Sequence, residues 1–595
     1  MKRLCAVLAA AGALALASAP LPRPVRAAAP EAIAWQDWSD AAFARARQEG
    51  RLVLLDLGAG WCHWCHVMDA TTYRDPEVVR LVASRFLPIK VDQDTRPDLA
   101  ARYEDYGWPA TIVFDAEGRE LVKLRGYLPP PRLRSLLQAV ADDPTPGPSV
   151  TGAPEPRLAE GTLTPALEAE LQALHRERYD RQHGGWGFVH KYLDADSVEW
   201  SLLQAGRGDR EAERMARETL DQARAHLLDP VWGGIYQYSD SGVWENPHYE
   251  KIMSFQADAL RSFALAYARW GEPAHLEAAR SIHRYLRAFL RSPEGAFYAS
   301  QDADLVRGEH SASYFALDDA GRRRRGVPHV DTHVYTRENG WAIQALVALH
   351  AATGEAEPLE DALAAARFLL KERALPDGGF RHDAADPGGP YLGDNLAAGR
   401  AFLALYAATA DRAWLARAED AARYLARTFR REGTPGLVTA PPATRMDRPR
   451  PQRDENVAAA RFANLLAQYT GSAEHRALAE HALRYLADAE VARRFSTAAV
   501  LLAAGELARP PLHLTVVGPK DDPAVAALQR AALHAAGAYA RVEVWDRREG
   551  PLPHADVEYP PLSRPAAFVC DGGRCSAPSY APDQLAARVA RLASR

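Results

Sequence analysis

Cys62 and Cys65 lie three residues apart in the stretch "GWCHWCHVM", in company with Trp61, His63, Trp64 and His66. Residues of these types allow three chemistries: a dithiol/disulfide couple, a metal site that adds His66 to the two thiols on one helix turn, or a structural staple. A staple across so short a loop constrains little of the unfolded chain. On a helix His63 points about 100° away from the other three side chains, and no second cysteine pair lies nearby in sequence to complete a metal set. The run 51–57, "RLVLLDL", reads as a strand, and the cysteines then open a helix. In that setting a C-x-x-C pair signals redox chemistry, and neither a metal nor another cofactor is expected. Free N–H groups and the helix dipole favour a thiolate at the helix start. Cys62 is therefore expected to be the exposed nucleophile, and Cys65, one turn in, the resolving thiol. A protonated His63 would stabilise the thiolate further and make the disulfide more oxidising.

The elements that must position this pair fall into three blocks. The first, 30–142, alternates strand and helix patterns: 51–57, a helix over 75–86 with Asp75 as cap, "LPIKVD" over 87–92, and a hairpin of 110–115 and 120–127 before a last helix. Strand, C-x-x-C, helix, strand, helix, proline, hairpin and helix occur in thioredoxin order. Asp56, at the end of the first strand, resembles the buried acid that handles the resolving cysteine's proton. Pro109, in "GWPAT", resembles the cis proline that faces the disulfide and presents backbone to a substrate strand. Trp61, Trp64 and Trp108 are the candidate substrate-contacting aromatics. A Pro- and Gly-rich linker, 143–156, follows.

The second block, 157–509, is helical and repetitive, with "RYL" or a close relative ending at Leu286, Leu425 and Leu486. About twelve helices are expected, paired as six hairpins that close into an α/α toroid. Gly-Gly-aromatic loops, such as "WGGIYQY" and "DGGFRHD", would gather at one mouth. The polar residues those loops carry are His248, Glu250, Lys251, Asp302, Asp304, Asn339 and Asp394. His248 with Glu250 would suit sugar epimerisation, and Glu250 with Asp302 glycoside hydrolysis. The same residue types at helix starts also serve as caps. The third block, 510–595, is a small α/β domain in which Cys570 and Cys575 flank a hairpin turn and are expected to staple it.

A chain of 595 residues with 47% hydrophobic and 25% charged residues is a soluble multidomain protein. Residues 1–29 have Lys2 and Arg3, an apolar run and then small residues, the order of a secretory signal. Its removal would take the formal charge from -5 to about -9, a poor match to nucleic acid. The expected location is periplasmic or secreted, with no membrane span after cleavage. The basic run Arg322 to Arg325 reads as a solvated loop.

"CHWCHVM", "GWPATIVFDAEG", "NPHYEKI", "FYASQDAD", "TRENGWAI" and "FVCDGGRCSAP" together resemble the spermatogenesis-associated protein 20 / YyaL-like family. That resemblance implies a thioredoxin-like domain joined to a six-hairpin toroid of the N-acylglucosamine 2-epimerase and glycosidase kind. The expected function is an exported thiol–disulfide oxidoreductase whose partner is a protein thiol or disulfide. The alternatives are a carbohydrate-active toroid regulated by the thioredoxin-like domain, and a non-enzymatic binding platform.

Overall fold

Strand β1 (Leu52–Gly58) runs through the middle of a four-stranded sheet, buried along almost its whole length. Around it, in chain order, are α1 (Asp40–Glu49), α2 (His63–Ala70), α3 (Pro76–Arg85), β2 (Phe86–Asp92), α4 (Pro97–Arg102), β3 (Ala110–Phe114), β4 (Glu120–Arg125) and α5 (Pro130–Asp142). The sheet order is β2-β1-β3-β4, with β2 parallel to β1 and both hairpin strands antiparallel to their neighbours. Strand alternation splits the core: Val53, Leu55 and Leu57 pack with Phe43 and Phe114, while Leu54 packs with Met68, Val78 and Leu133. Asp56 shares the Leu54 face by the same alternation, so it lies beneath α2. This computed structural model describes residues 32–103, 107–150, 161–386, 388–443, 446–571 and 574–593. The expected leader 1–29 and residues 151–156 of the expected linker lie outside them.

The middle block contains α6 (Pro165–Glu177), α7 (Ala195–Gly206), α8 (Arg210–His226), the short strands β5 (Tyr238–Ser239), β6 (Pro247–His248) and β7 (Lys251–Ile252), α9 (Met253–Trp270), α10 (Pro273–Tyr285), β8 (Ser300–Gln301), α11 (Ala312–Phe315), α12 (Asp319–Arg325) and β9 (Val330–Asp331). It continues with α13 (Thr336–Thr353), α14 (Ala356–Glu372), α15 (Leu392–Thr409), α16 (Arg412–Thr428), α17 (Arg453–Thr470), α18 (Ala473–Leu486), α19 (Ala489–Ala492) and α20 (Thr497–Ala508). Helices α7, α9, α13, α15, α17 and α20 each pack on the next, and α20 returns to α7, closing a ring. Outside it, α8, α10, α14, α16, α18 and α6 each back one inner helix, which makes an (α/α)6 toroid of the described residues. Inner helices such as α15 and α20 are apolar nearly all round, whereas outer ones such as α8 keep a charged face for solvent.

The repeat has a local clamp. Leu228 bridges Ile235, Arg291 bridges Phe297, Ala374 bridges Phe380 and Arg430 bridges Leu437, each closing a loop. The fourth residue of the next inner helix then grips the loop backbone. Asn339 accepts from Phe297 N–H at 2.8 Å and donates to Phe297 O at 2.9 Å. Asn395 does the same for Phe380, Asn456 for Leu437, and Gln256 for Ile235. Asn339 is thus a structural clamp rather than a member of an open sugar site. Asn339→Leu would strand buried donors and acceptors, and we expect a loss of about 3 kcal/mol in urea-unfolding free energy.

The run Arg322 to Arg325 departs from expectation. It ends α12, and Arg322 is fully buried because its guanidinium binds Asp229 at 2.7 and 3.1 Å. The third block has β10 (Leu512–Val517), α21 (Pro523–Ala535), β11 (Ala540–Trp545), β12 (Ala566–Asp571), β13 (Arg574–Cys575) and α22 (Pro582–Ala593). Its order, β11-β10-β12-β13, and its strand directions repeat those of the first sheet. The turn between β10 and α21, 518–522, carries no cysteine, however, unlike the turn after β1. Cys570 and Cys575 are disulfide-bonded as a register pair of β12 and β13.

The two α/β domains cap opposite mouths of the ring. The first meets inner-helix starts and their loops, through Gln452 on Ala101 O at 2.6 Å and His382 on Asp94 O at 2.7 Å. The third meets inner-helix ends, through Tyr469 hydroxyl on Val542 N–H at 2.8 Å and His534 on Ala352 O at 2.9 Å. No described helix is long and apolar enough to cross a membrane.

Candidate redox site at the domain interface

Cys62 is the N-cap of α2, and its Sγ accepts the Cys65 N–H at 3.1 Å. The two cysteines form a disulfide. Cys65 sits against the end of β1, where a Cβ on Gly58 would come within 3.3 Å of its Sγ. Behind the pair, buried Asp56 accepts from Tyr73 hydroxyl at 3.0 Å and pairs with Lys90 Nζ at 3.0 Å. Burial raises its carboxyl above the usual range, against the pull of Lys90. The Trp108–Pro109 peptide is cis, and Trp108 packs on the patch that holds both cysteines.

The expected exposure of Cys62 is corrected: it is 4% exposed. Ile252 of β7 and Phe255 of α9 cover it, because the toroid docks onto the thioredoxin-like face that would otherwise meet solvent. Trp61 is also buried, donating to Asp94 at 2.7 Å, so it offers no open surface to a substrate. Trp64 stays 43% exposed and stacks on Tyr127.

Three of the toroid candidates face the cysteine helix. Asp304, in the loop after β8, takes His63 Nδ1 at 2.7 Å on one oxygen and His66 Nδ1 at 3.1 Å on the other. His63 and His66 reach one carboxylate together because residues three apart share a helix face. The expectation that His63 turns away from His66 is corrected accordingly. Asp302 lies 3.7 Å from His66 Nε2, and its Oδ2 has no hydrogen-bond partner. Glu250, just before β7, is buried with Oε2 equally unpartnered. Donating a hydrogen bond to the Asp304 carboxylate raises His63. Burial alone would lower His66, but Asp304 outweighs it and His66 rises as well. Burial would lift Asp304, yet the two histidines hold it at about 2. Burial pushes Asp302 up to about 6 and Glu250 up to about 7.

His66, Asp302 and Asp304 bring one possible ligand atom each within 4.8 Å of one another. Both ring nitrogens of His66 are already turned onto acceptors, Asp304 and, at 3.0 Å, Gly60 O. An imidazolium donates from both and leaves no lone pair for a cation. The trio is an ion-pair cluster.

The remaining candidates do not join the site. Lys251 is buried on Asp229 at 2.7 Å, His248 stacks on Tyr238, and Asp394 binds His382 at 2.9 Å. Sequence reasoning missed a different feature, a cavity of about 460 Å³ in the bore of the ring. Asp196, Asp258, Arg261, Arg400, Glu455 and Arg461 line it, with Trp108 at the thioredoxin-like end. Burial raises Asp196 and Glu455 to about 7 and Asp258 to about 6. Burial and the facing Arg461 and Arg261 push Arg400 down to about 10. The signal was present: charges such as Asp258 and Arg261, or Arg400 within "LAAGRAFLAL", interrupt helices that have no other polar face.

Residues 18–142 match the family Thioredox_DsbH, described as protein of unknown function, DUF255. Over 413 residues the chain is 25% identical to spermatogenesis-associated protein 20 of Homo sapiens, covering 63% of this chain and 49% of that protein. The resemblance read from the sequence holds. The chain spans about half the length of the curated relatives it matches. It is also 40% identical over 89 residues to thiol:disulfide interchange protein DsbD 1 of Pseudomonas aeruginosa, 14% of this chain and 15% of that one. Among solved structures, a D-mannose isomerase is similar at 13% identity and a TM-score of 0.46, covering 58% of this chain and 96% of that one. The toroid itself rests on the closed ring of helix contacts described above.

Proposed function

We propose that the chain is an exported thiol–disulfide oxidoreductase acting on protein thiols through Cys62 and Cys65. One observation carries the reading: the disulfide caps the N-terminus of α2, Cys65 packs against Gly58 on the β1 face that also carries the buried acid Asp56, and Trp108 of the cis Trp108–Pro109 peptide packs on the cysteine patch. The similarity to a protein named for thiol:disulfide interchange supports it. In the oxidising direction a substrate thiolate attacks Sγ of Cys62, breaks the Cys62–Cys65 bond and leaves Cys65 as the departing thiolate. A second substrate thiolate then displaces Cys62, so two electrons pass from the substrate dithiol to the couple. In the reducing direction Cys62 thiolate attacks a substrate disulfide, and Cys65 resolves the mixed disulfide. Because the toroid covers Cys62, a protein substrate reaches it when the Asp304 clasp opens. Export is supported by the Lys2–Arg3 leader pattern and by the two cysteine pairs. The Cys65→Ser chain should accumulate mixed disulfides on Cys62 when expressed with its leader, seen as bands that dithiothreitol removes. A variant that traps nothing would overturn the reading.

The bore favours a second reading, in which the toroid holds a small polar molecule such as a carbohydrate. Acids that titrate near neutrality and the rings of Trp108 and Trp341 line one cavity. Calorimetry with a sugar panel should give binding that Asp258→Asn weakens about 10-fold or more, independently of Cys62→Ser. Turnover would identify a carbohydrate-active enzyme, and binding without turnover a platform.

A further inference from the structure

Glu250 is the buried acid nearest in the chain to the cover over the disulfide. It stands two residues before Ile252, which packs on the Cys62–Cys65 patch. The side chain is 97% buried by its 3% exposure, and Oε2 has no partner. The first residue of α2, His63, acts electrostatically on the Glu250 carboxyl through both its backbone N–H and its side chain. The same helix end serves Cys62, whose Sγ already accepts the Cys65 N–H. Reduction therefore brings a thiolate and a carboxylate to one set of free N–H donors, in a pocket closed to bulk water. Two anions sharing such a site cannot both stay charged, and one of them takes a proton.

We propose that Glu250 is the redox-linked proton site of the Cys62–Cys65 couple, supplied by the toroid rather than by the thioredoxin-like domain. The inference rests on the redox reading above. When a dithiol reduces the disulfide, the S–S bond breaks and two electrons pass to the sulfurs. Cys65 takes one proton, with Asp56 beneath it, and Glu250 takes the other, so Cys62 remains a thiolate beside a neutral acid. When Cys62 and Cys65 re-form their bond and pass two electrons to a substrate disulfide, Cys65 and Glu250 each release a proton. The charged and titratable groups facing Glu250 are His63 on α2, Asp302 after β8 and Tyr238 on β5, with Asp304 acting through His63. Burial already holds the oxidised-state carboxyl near neutrality, at about 7.

The test is the proton uptake per disulfide reduced, read from the pH dependence of equilibrium with dithiothreitol on the full chain between about pH 7 and 8.5. Wild type should take up about one and a half protons at pH 7, where oxidised-state Glu250 is already half protonated, rising to close to two by about pH 8.5. Glu250→Gln should fall toward one as Cys62 ionises without a proton acceptor beside it, and Glu250→Asp should restore part of the difference. Equal uptake in wild type and Glu250→Gln would overturn the proposal. A couple that dithiothreitol cannot cycle would instead overturn the redox reading beneath it. Infrared difference spectra of wild type, reduced minus oxidised at about pH 8, give a readout that needs no variant. A protonated carboxyl band should appear on reduction, and its absence would sink the proposal.

Discussion

Asp229→Ala is expected to cost about 3–5 kcal/mol of unfolding free energy in urea titrations, because it strands two buried cations at once. Asp229 Oδ2 holds Lys251 Nζ at 2.7 Å and Arg322 Nη1 at 2.7 Å, with all three side chains at most 1% exposed. Lys251 also donates to Gly233 O at 2.7 Å, and Arg322 lies over Trp232. Without the carboxylate Lys251 can shed its proton, since burial already brings it down to about 8. Arg322 cannot, and a buried guanidinium without a counter-ion must drag α12 open to water. The pH dependence follows from the sign of the shift. Burial would raise Asp229, but Lys251 and Arg322 hold it at about 2 in the fold, below its ordinary 3.8. Its contribution is therefore present above pH 3.8 and lost as the pH falls through about 2. Wild type and Asp229→Ala should converge in stability on that acid limb. Since Lys251 neighbours Glu250 and Ile252, the variant should also expose the disulfide to alkylation after reduction.

The architecture was largely legible because it rests on local signals. Period-two apolar runs, the Pro-rich linker and the recurring helix hairpins each bury a face in an obvious way, and ring closure follows from repetition. What stayed hidden was where the capping domains would sit. Nothing in "GWCHWCHVM" reports that Ile252 and Phe255 will cover Cys62, since that contact joins residues far apart in sequence. The same gap explains Trp61, whose partner Asp94 lies beyond the second strand.

The toroid candidates show how residue type alone misleads. Seven polar residues on similar loops looked alike, yet Asn339 and Asp394 bind local backbone or His382, while Glu250, Asp302 and Asp304 turn toward another domain. The Asn at the fourth position of successive inner helices was a readable repeat, and it would have marked Asn339 as structural. Arg322 was misread for a similar reason: four arginines in a row look solvated until a buried carboxylate selects one of them.

Asp304→Ala should raise the rate at which a phosphine reductant opens the Cys62–Cys65 bond about 100-fold. One carboxylate, 1% exposed, holds both histidines of the cysteine helix and also accepts Gly308 N–H at 2.8 Å. Losing a buried pair of this kind costs about 3 kcal/mol, and each 1.4 kcal/mol is about tenfold in the open population through which the reductant enters. The clasp should also weaken toward alkaline pH in wild type. His63 and His66 lie above their ordinary 6.5 in the fold, so their contribution is full below 6.5 and lost as the pH rises through the raised values. Asp304 is held at about 2, so its share is present above 3.8 and lost only in strong acid. Asp302 at about 6 and Glu250 at about 7 are raised acids whose ionisation weakens the interface on the same alkaline side. Wild-type reduction by the phosphine should therefore speed up from pH 6 to 8, and Asp304→Ala should flatten that slope. Hydrogen exchange at the first turn of α2 should follow the same order. If the variant left both the rate and the slope unchanged, the disulfide would have to be reached without parting the two domains.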